Sequence, residues 1–250
     1  MKKLIVANWK MNPPDRGSVI KYFSQLVRAK GALKHADVVI APPFPYIALA
    51  PRTSSFALGA QDIFWEKEGA YTGEVSGLML TSLGVSYVIV GHSEQRRLGE
   101  TDEVIAKKIR RALDTKLTPI VCIGEPKRDP DGAFFGVIRG QLERALVLVK
   151  PQEASRIVVA YEPIWAVGAG HKAATPKDAA EAALFIKKTI AARFGSARAK
   201  SLRVIYGGST SPENAAGFLA ERDVAGLLVG RESLSAKSFI SILQCAAIHS

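Results

Sequence analysis

Cysteine is scarce in this chain. There are two in 250 residues, Cys122 and Cys245, both in apolar surroundings, which excludes a disulfide framework. Long apolar runs are missing too, and none approaches membrane-spanning length. The opening "MKKLIVANWKMN" joins two lysines to an apolar run, but the run stops at Ala7, too short for the core of a signal peptide. A cytoplasmic protein without a membrane partner is expected. No low-complexity tract or Ser/Gly linker interrupts the chain, so residues 1–250 are read as one domain. No cluster of His, Cys and Asp has metal-ligand spacing, and neither a zinc finger nor an aromatic RNA-binding motif occurs.

Acidic residues are the minority charge, 23 Asp and Glu against 34 Lys and Arg, for a formal net charge of +11. Such a balance invites a nucleic-acid reading. The densest basic runs, Lys107 to Arg111 and Lys187-Lys188, fall inside helical patterns, where charge is expected on solvated faces. No nucleic-acid partner is therefore expected, and a basic surface equally suits a small anionic substrate.

What the chain does have is alternation. Short apolar runs recur, "LIVAN", "DVVIAP", "FALGAQ", "YVIVG", "TPIVCIG", "IVVAYE", "LRVIYGG" and "AGLLVG", with stretches of helical period between them. The clearest helices are "TDEVIAKKIRRALDT", with Thr101 as N-cap, "PKDAAEAALFIKKTIAARFG", ending at Gly195, and "PENAAGFLAE". About eight such pairs predict an α/β protein, a closed (β/α)8 barrel of parallel strands surrounded by helices, with an open doubly wound sheet as the alternative.

One motif speaks for that alternative. "GAGHKA", residues 168–173, matches a dinucleotide fingerprint. However, "PIWAV" separates it from its strand, and the position where an acidic ribose ligand should end a second strand lies in a helix. No cofactor is expected. Residues 62–76, "DIFWEKEGAYTGEVS", have no clean period yet carry Phe64, Trp65 and Tyr71, so this long loop should pack against something, including another chain.

In a barrel the strand ends share one rim, which collects Asn8 and Lys10, His92, Glu162, "YGGST" and "VGRES". The stretches "NWKMN", "GAYTGE", "GHSE", "GETDE", "VCIGE", "AYEPIWAVGAG", "YGGS" and "DVAGLLVG" then resemble, in order and approximate spacing along nearly the whole chain, the triosephosphate isomerase family, the namesake of the TIM barrel. The resemblance implies interconversion of a ketose and an aldose phosphate through an enediolate, without metal. It implies Glu162 as the base, His92 as a neutral imidazole electrophile, Lys10 as a positive charge and Asn8 as a hydrogen-bonding group. Glu94 matches a supporting carboxylate. Gly168, Ser209, Gly230 and Arg231 match a phosphate grip, with Gly207 and Gly208 shaping its turn. Residues 163–174 match a mobile lid that excludes water. The loop from Phe64 to Val75 implies a homodimer.

The departures are Gln95 where Arg is common, a stretch before "GETDE" one residue short, Ala169 in place of Thr, "HKAATP" one residue long, and Arg231 where a second Gly is common. Arg96 and Arg97 are expected to compensate for Gln95. His171 lies in the lid, where its protonation would alter closure. None of these removes the base, the electrophile or the lysine.

Overall fold

The computed structural model describes residues 2–53, 55–166 and 174–247. Eight parallel strands run in sequence order around a closed barrel: β1 (Leu4–Asn8), β2 (Asp37–Ala41), β3 (Ala57–Ala60), β4 (Val85–Val90), β5 (Thr118–Ile123), β6 (Val158–Tyr161), β7 (Arg203–Tyr206) and β8 (Gly226–Val229). The closing pair is β1 with β8, in register from Leu4 opposite Gly226 to Ala7 opposite Val229. An open sheet is thereby excluded.

Apart from a few polar first residues, the strands are largely apolar on both faces, because both faces are covered. Successive side chains point to opposite faces. Leu4, Val6, Val39, Ile120, Cys122, Val158, Ile205 and Leu228 fill the barrel interior, while their neighbours Ile5, Val38, Val121, Val159 and Val204 pack outward against the helices. The interior is a packed plug, as expected of such barrels.

The predicted helices form where their caps place them. Asp102–Asp114 begins at Thr101, whose side chain accepts from the Val104 amide, and Pro176–Phe194 ends at Gly195, which takes φ +92°. Pro212–Ala220 follows the same logic, with the Asn214 side chain reaching back to accept the Ser211 amide at 2.8 Å.

One expectation fails here. Lys108, in the densest basic run, does not lie on a solvated face; it is 6% exposed and its ammonium contacts Asp62 at 2.7 Å and Glu100 at 2.5 Å. Burial pulls this lysine down, but the two carboxylates outweigh it and hold its pKa above the ordinary value. Neighbouring Arg110 is also engaged, with Glu153 at 2.6 Å.

Candidate active site

All eight strands deliver their C-terminal ends to one rim, where a cavity of ≈ 370 Å³ opens. Asn8, Lys10, His92, Glu162, Ser209, Gly230 and Arg231 all line it, from five different strands.

Asn8 ends β1, and the chain then makes a tight turn in which Lys10 adopts φ +54°. This left-handed conformation costs a non-glycine residue about 1–2 kcal/mol. Three hydrogen bonds hold the turn: the Lys10 amide donates to Asn8 Oδ1 at 3.1 Å, and Gln61 Nε2 donates to the carbonyls of Lys10 and Ala41, each at 2.9 Å. The Lys10 ammonium meets Glu94 Oε1 at 2.7 Å. Burial pushes the Glu94 carboxyl up, but the hydrogen bond and charge of Lys10 reverse this and keep it below the usual range.

His92 follows β4 and caps the helix Ser93–Arg97, its Nδ1 accepting the Glu94 amide at 3.2 Å. An acceptor nitrogen carries no proton, so the neutral ring bears its N–H on Nε2. Nε2 lies 3.3 Å from Glu162 Oε1 without the alignment of a hydrogen bond, so its N–H stays available to a ligand.

Glu162 follows β6 and is 2% exposed. Its Oε2 accepts the Ser93 amide at 3.1 Å, whereas its buried Oε1 has no hydrogen-bond partner among the described residues. One carboxylate oxygen is therefore anchored and the other is an open acceptor. Glycine makes this placement feasible. A Cβ on Gly207 would fall 2.8 Å from Glu162 Cγ, and one on Gly124 only 1.9 Å from the Glu162 carbonyl oxygen. Beneath lies Cys122, its thiol pushed well up by burial and by the Glu162 charge.

Opposite these groups, the ends of β7 and β8 offer backbone more than side chains. Ser233 donates its amide to the Gly230 carbonyl at 2.9 Å, closing a short turn over Arg231–Leu234. Arg231 is exposed at the lip, and Glu232 is turned onto the Ser238 hydroxyl. The Ser209 amide donates to the Ala166 carbonyl at 3.2 Å, tying the β7 turn to the segment after β6. Gly168, Ala169 and His171 lie outside the described residues, as does most of the stretch read as a lid.

A residue that sequence reasoning assigned no role is Glu125. It is fully buried and accepts at Oε1 from the Tyr161 hydroxyl and the Trp165 indole N–H, both at 2.8 Å. Its carbonyl takes the Ile164 amide at 3.0 Å. Glu125 thus grips both sides of Glu162, and its only signal was its place in "VCIGE".

A sequence model of the family described as triosephosphate isomerase matches residues 3–246. The chain belongs to the triosephosphate isomerase family. It is 42% identical to the "Triosephosphate isomerase" of Caldanaerobacter subterraneus subsp. tengcongensis over 247 residues, covering 97% of this chain and 98% of that one. The corresponding protein of Moorella thermoacetica is 43% identical over the same length and coverage, and that of Solibacter usitatus is 41% identical over 249 residues. Within this family frame, Arg96 is fully engaged beside the departing Gln95. Its guanidinium donates to the carbonyls of Gly91 at 2.9 Å and Cys122 at 3.3 Å and pairs with Asp102 at 2.6 Å.

On the same rim, the loop 62–76 packs Phe64 in tilted contact with Trp65 and Tyr71, with centroids 4.1 and 4.7 Å apart. Exposed Leu78 and Met79 follow it, and Met11, next to Lys10, is 93% exposed.

Proposed function

We infer that this chain interconverts dihydroxyacetone phosphate and D-glyceraldehyde 3-phosphate through an enediolate, serving glycolysis and gluconeogenesis. The observation that carries this reading is the open acceptor Glu162 Oε1, 3.3 Å from His92 Nε2, in a pocket shared with Lys10.

In this reading Glu162 takes a proton from the carbon next to the carbonyl and returns it to the neighbouring carbon. His92 donates its Nε2 proton as a hydrogen bond to the oxygen that gains charge. Lys10 adds a positive charge and Asn8 fixes the turn that presents it. Glu94, held as a carboxylate, positions the lysine. The phosphate is gripped by the amides of Gly168, Ser209, Gly230 and Arg231. Because the Ser209 amide is bonded to Ala166, phosphate capture draws on a hydrogen bond that also holds the start of the lid.

A homodimer completes the picture. The loop from Phe64 to Val75 of one copy would cover Met11 and the Lys10 turn of the other, burying apolar surface that water now faces. The protein works in the cytoplasm as a single (β/α)8 domain.

The reaction is tested by incubating the protein with dihydroxyacetone phosphate and following glyceraldehyde 3-phosphate in a coupled assay. Absence of product above the uncatalysed rate, or epimerisation of a pentulose phosphate instead, overturns the assignment. Sedimentation velocity tests the dimer.

A further inference from the structure

The barrel has a second mouth. At the N-terminal ends of the strands, opposite the rim that holds Glu162, a cavity of ≈ 860 Å³ opens. Pockets for small ligands span about 300–1,000 Å³. This one exceeds the ≈ 370 Å³ of the catalytic pocket.

Its floor is polar and built from strand starts. Arg203 of β7 pairs with Asp37 of β2 at 2.6 Å, an ion pair reaching across β8 and β1, which lie between those strands. Tyr87 of β4 is half-buried beside them, and burial, with the Asp37 charge, raises its phenol against the opposing effect of Arg203. Thr118 of β5 adds a hydroxyl, and the buried ring of Phe56 supplies an apolar side.

The walls are cationic. Lys2 precedes β1, Lys30 opens and Lys34 follows the short helix Lys30–Leu33 before β2, and Arg156 precedes β6; all four are exposed and line the cavity. Asp37 is the only carboxylate among the described lining residues, and Arg203 already occupies it. Four cations from three separate elements therefore converge on a concave surface with no carboxylate left to neutralise them. A concave, low-dielectric wall of one sign concentrates counter-ions. Four charges over such a volume suit an anion carrying several charges better than a monoanion. Phosphate oxygens match both the ammonium and guanidinium groups.

We propose that the basal mouth of the barrel binds a small polyphosphate anion, such as a nucleoside triphosphate or inorganic tripolyphosphate, at a site separate from the catalytic pocket. Lys30, Lys34 and Arg156 contact the phosphates, and Tyr87 and Phe56 face the remainder of the ligand. The apolar plug of the barrel separates the two sites.

The test is calorimetric titration of the full protein with ATP and, separately, with tripolyphosphate, in the presence of saturating glycerol 3-phosphate to fill any triose-phosphate site. Expected is binding of one anion per chain, weakened at least about tenfold in Lys30→Ala/Lys34→Ala/Arg156→Ala, as for loss of charge-assisted hydrogen bonds, and weakened by salt. Tighter binding of ATP than of tripolyphosphate assigns the ring to Phe56 and Tyr87, and equal binding assigns the site to phosphates alone. The triple variant keeps its turnover on dihydroxyacetone phosphate and its melting temperature. No binding at millimolar anion, binding displaced by glycerol 3-phosphate, or binding unchanged in the folded triple variant overturns the proposal. If the parent binds the anion but does not isomerise, the isomerase reading fails while this one stands.

Discussion

Glu162 Oε2 accepts the amide of Ser93, the residue immediately after His92, at 3.1 Å. Carboxylate and imidazole are thus referenced to a single stretch of backbone, and their separation does not depend on the long side chain alone. Glu162→Gln keeps the acceptor for Ser93 but loses the open anionic oxygen. Turnover should fall at least about 10²-fold, in line with general-base contributions, with an unchanged circular dichroism spectrum. Near-parental turnover in the folded variant would refute the role.

Lys10 sits at φ +54°, so the residue that carries the charge also strains the backbone. Both Lys10→Gly and Lys10→Ala abolish the pairing with Glu94. Lys10→Gly should nevertheless be the more stable by about 1 kcal/mol, because glycine enters this region without a Cβ penalty. Urea denaturation of the two variants makes the comparison, and equal midpoints would show that the turn is unstrained.

Removing the indole N–H of Trp165 takes one of two side-chain donors from the Glu125 oxygen that receives them. Trp165→Phe should lose about 1–3 kcal/mol, the range for taking a hydrogen-bond partner from a buried polar group. Thermal unfolding monitored by far-UV circular dichroism measures the loss. A variant as stable as the parent would mean that Glu125 finds another donor.

Lys108 neutralises Asp62 and Glu100 inside the protein. Lys108→Met leaves two carboxylates facing each other without a cation and should destabilise by about 3–5 kcal/mol. Adding Glu100→Gln to that variant should recover part of the loss. Failure of the second substitution to recover any stability would argue that packing, not charge, is what Lys108 supplies.

Glu153 is held down to a pKa of about 2, chiefly by its hydrogen bond from Arg110. A carboxyl depressed in the folded state stabilises above its unfolded pKa, near 4.5, and that contribution disappears as pH falls toward about 2. Between these values the parent should lose stability more steeply than Glu153→Gln. Denaturant midpoints across this window provide the test, and parallel curves would discount the pair.

Much of the barrel was legible because local signals and tertiary demands agree. The run "LIVAN" is β1 to the residue, and Thr101, Gly195 and Pro212 mark helix ends where they were expected. Strand edges were less legible. β4 starts at Val85, two residues before the run "YVIVG", because Val85 pairs with Leu58 across a register shift in β3 that local pattern does not encode. At the site, the resemblance named Asn8, Lys10, His92 and Glu162, and the pocket lining contains all four. What it did not name are long-range polar links: Lys108 meets Asp62 across 46 positions, and Trp165 meets Glu125 across 40. A buried lysine and a solvated one look alike in a helical pattern until the partners are folded against it.

The layered side chains inside the barrel, from Leu4 and Val158 up to Cys122 and Ala160, act as a bulkhead. Water and ions reach each mouth only from its own side, so drift in surface charge at the lower opening leaves the geometry of the upper one untouched. A fold partitioned in this way can acquire a new task at its base while selection continues to guard the chemistry at its top.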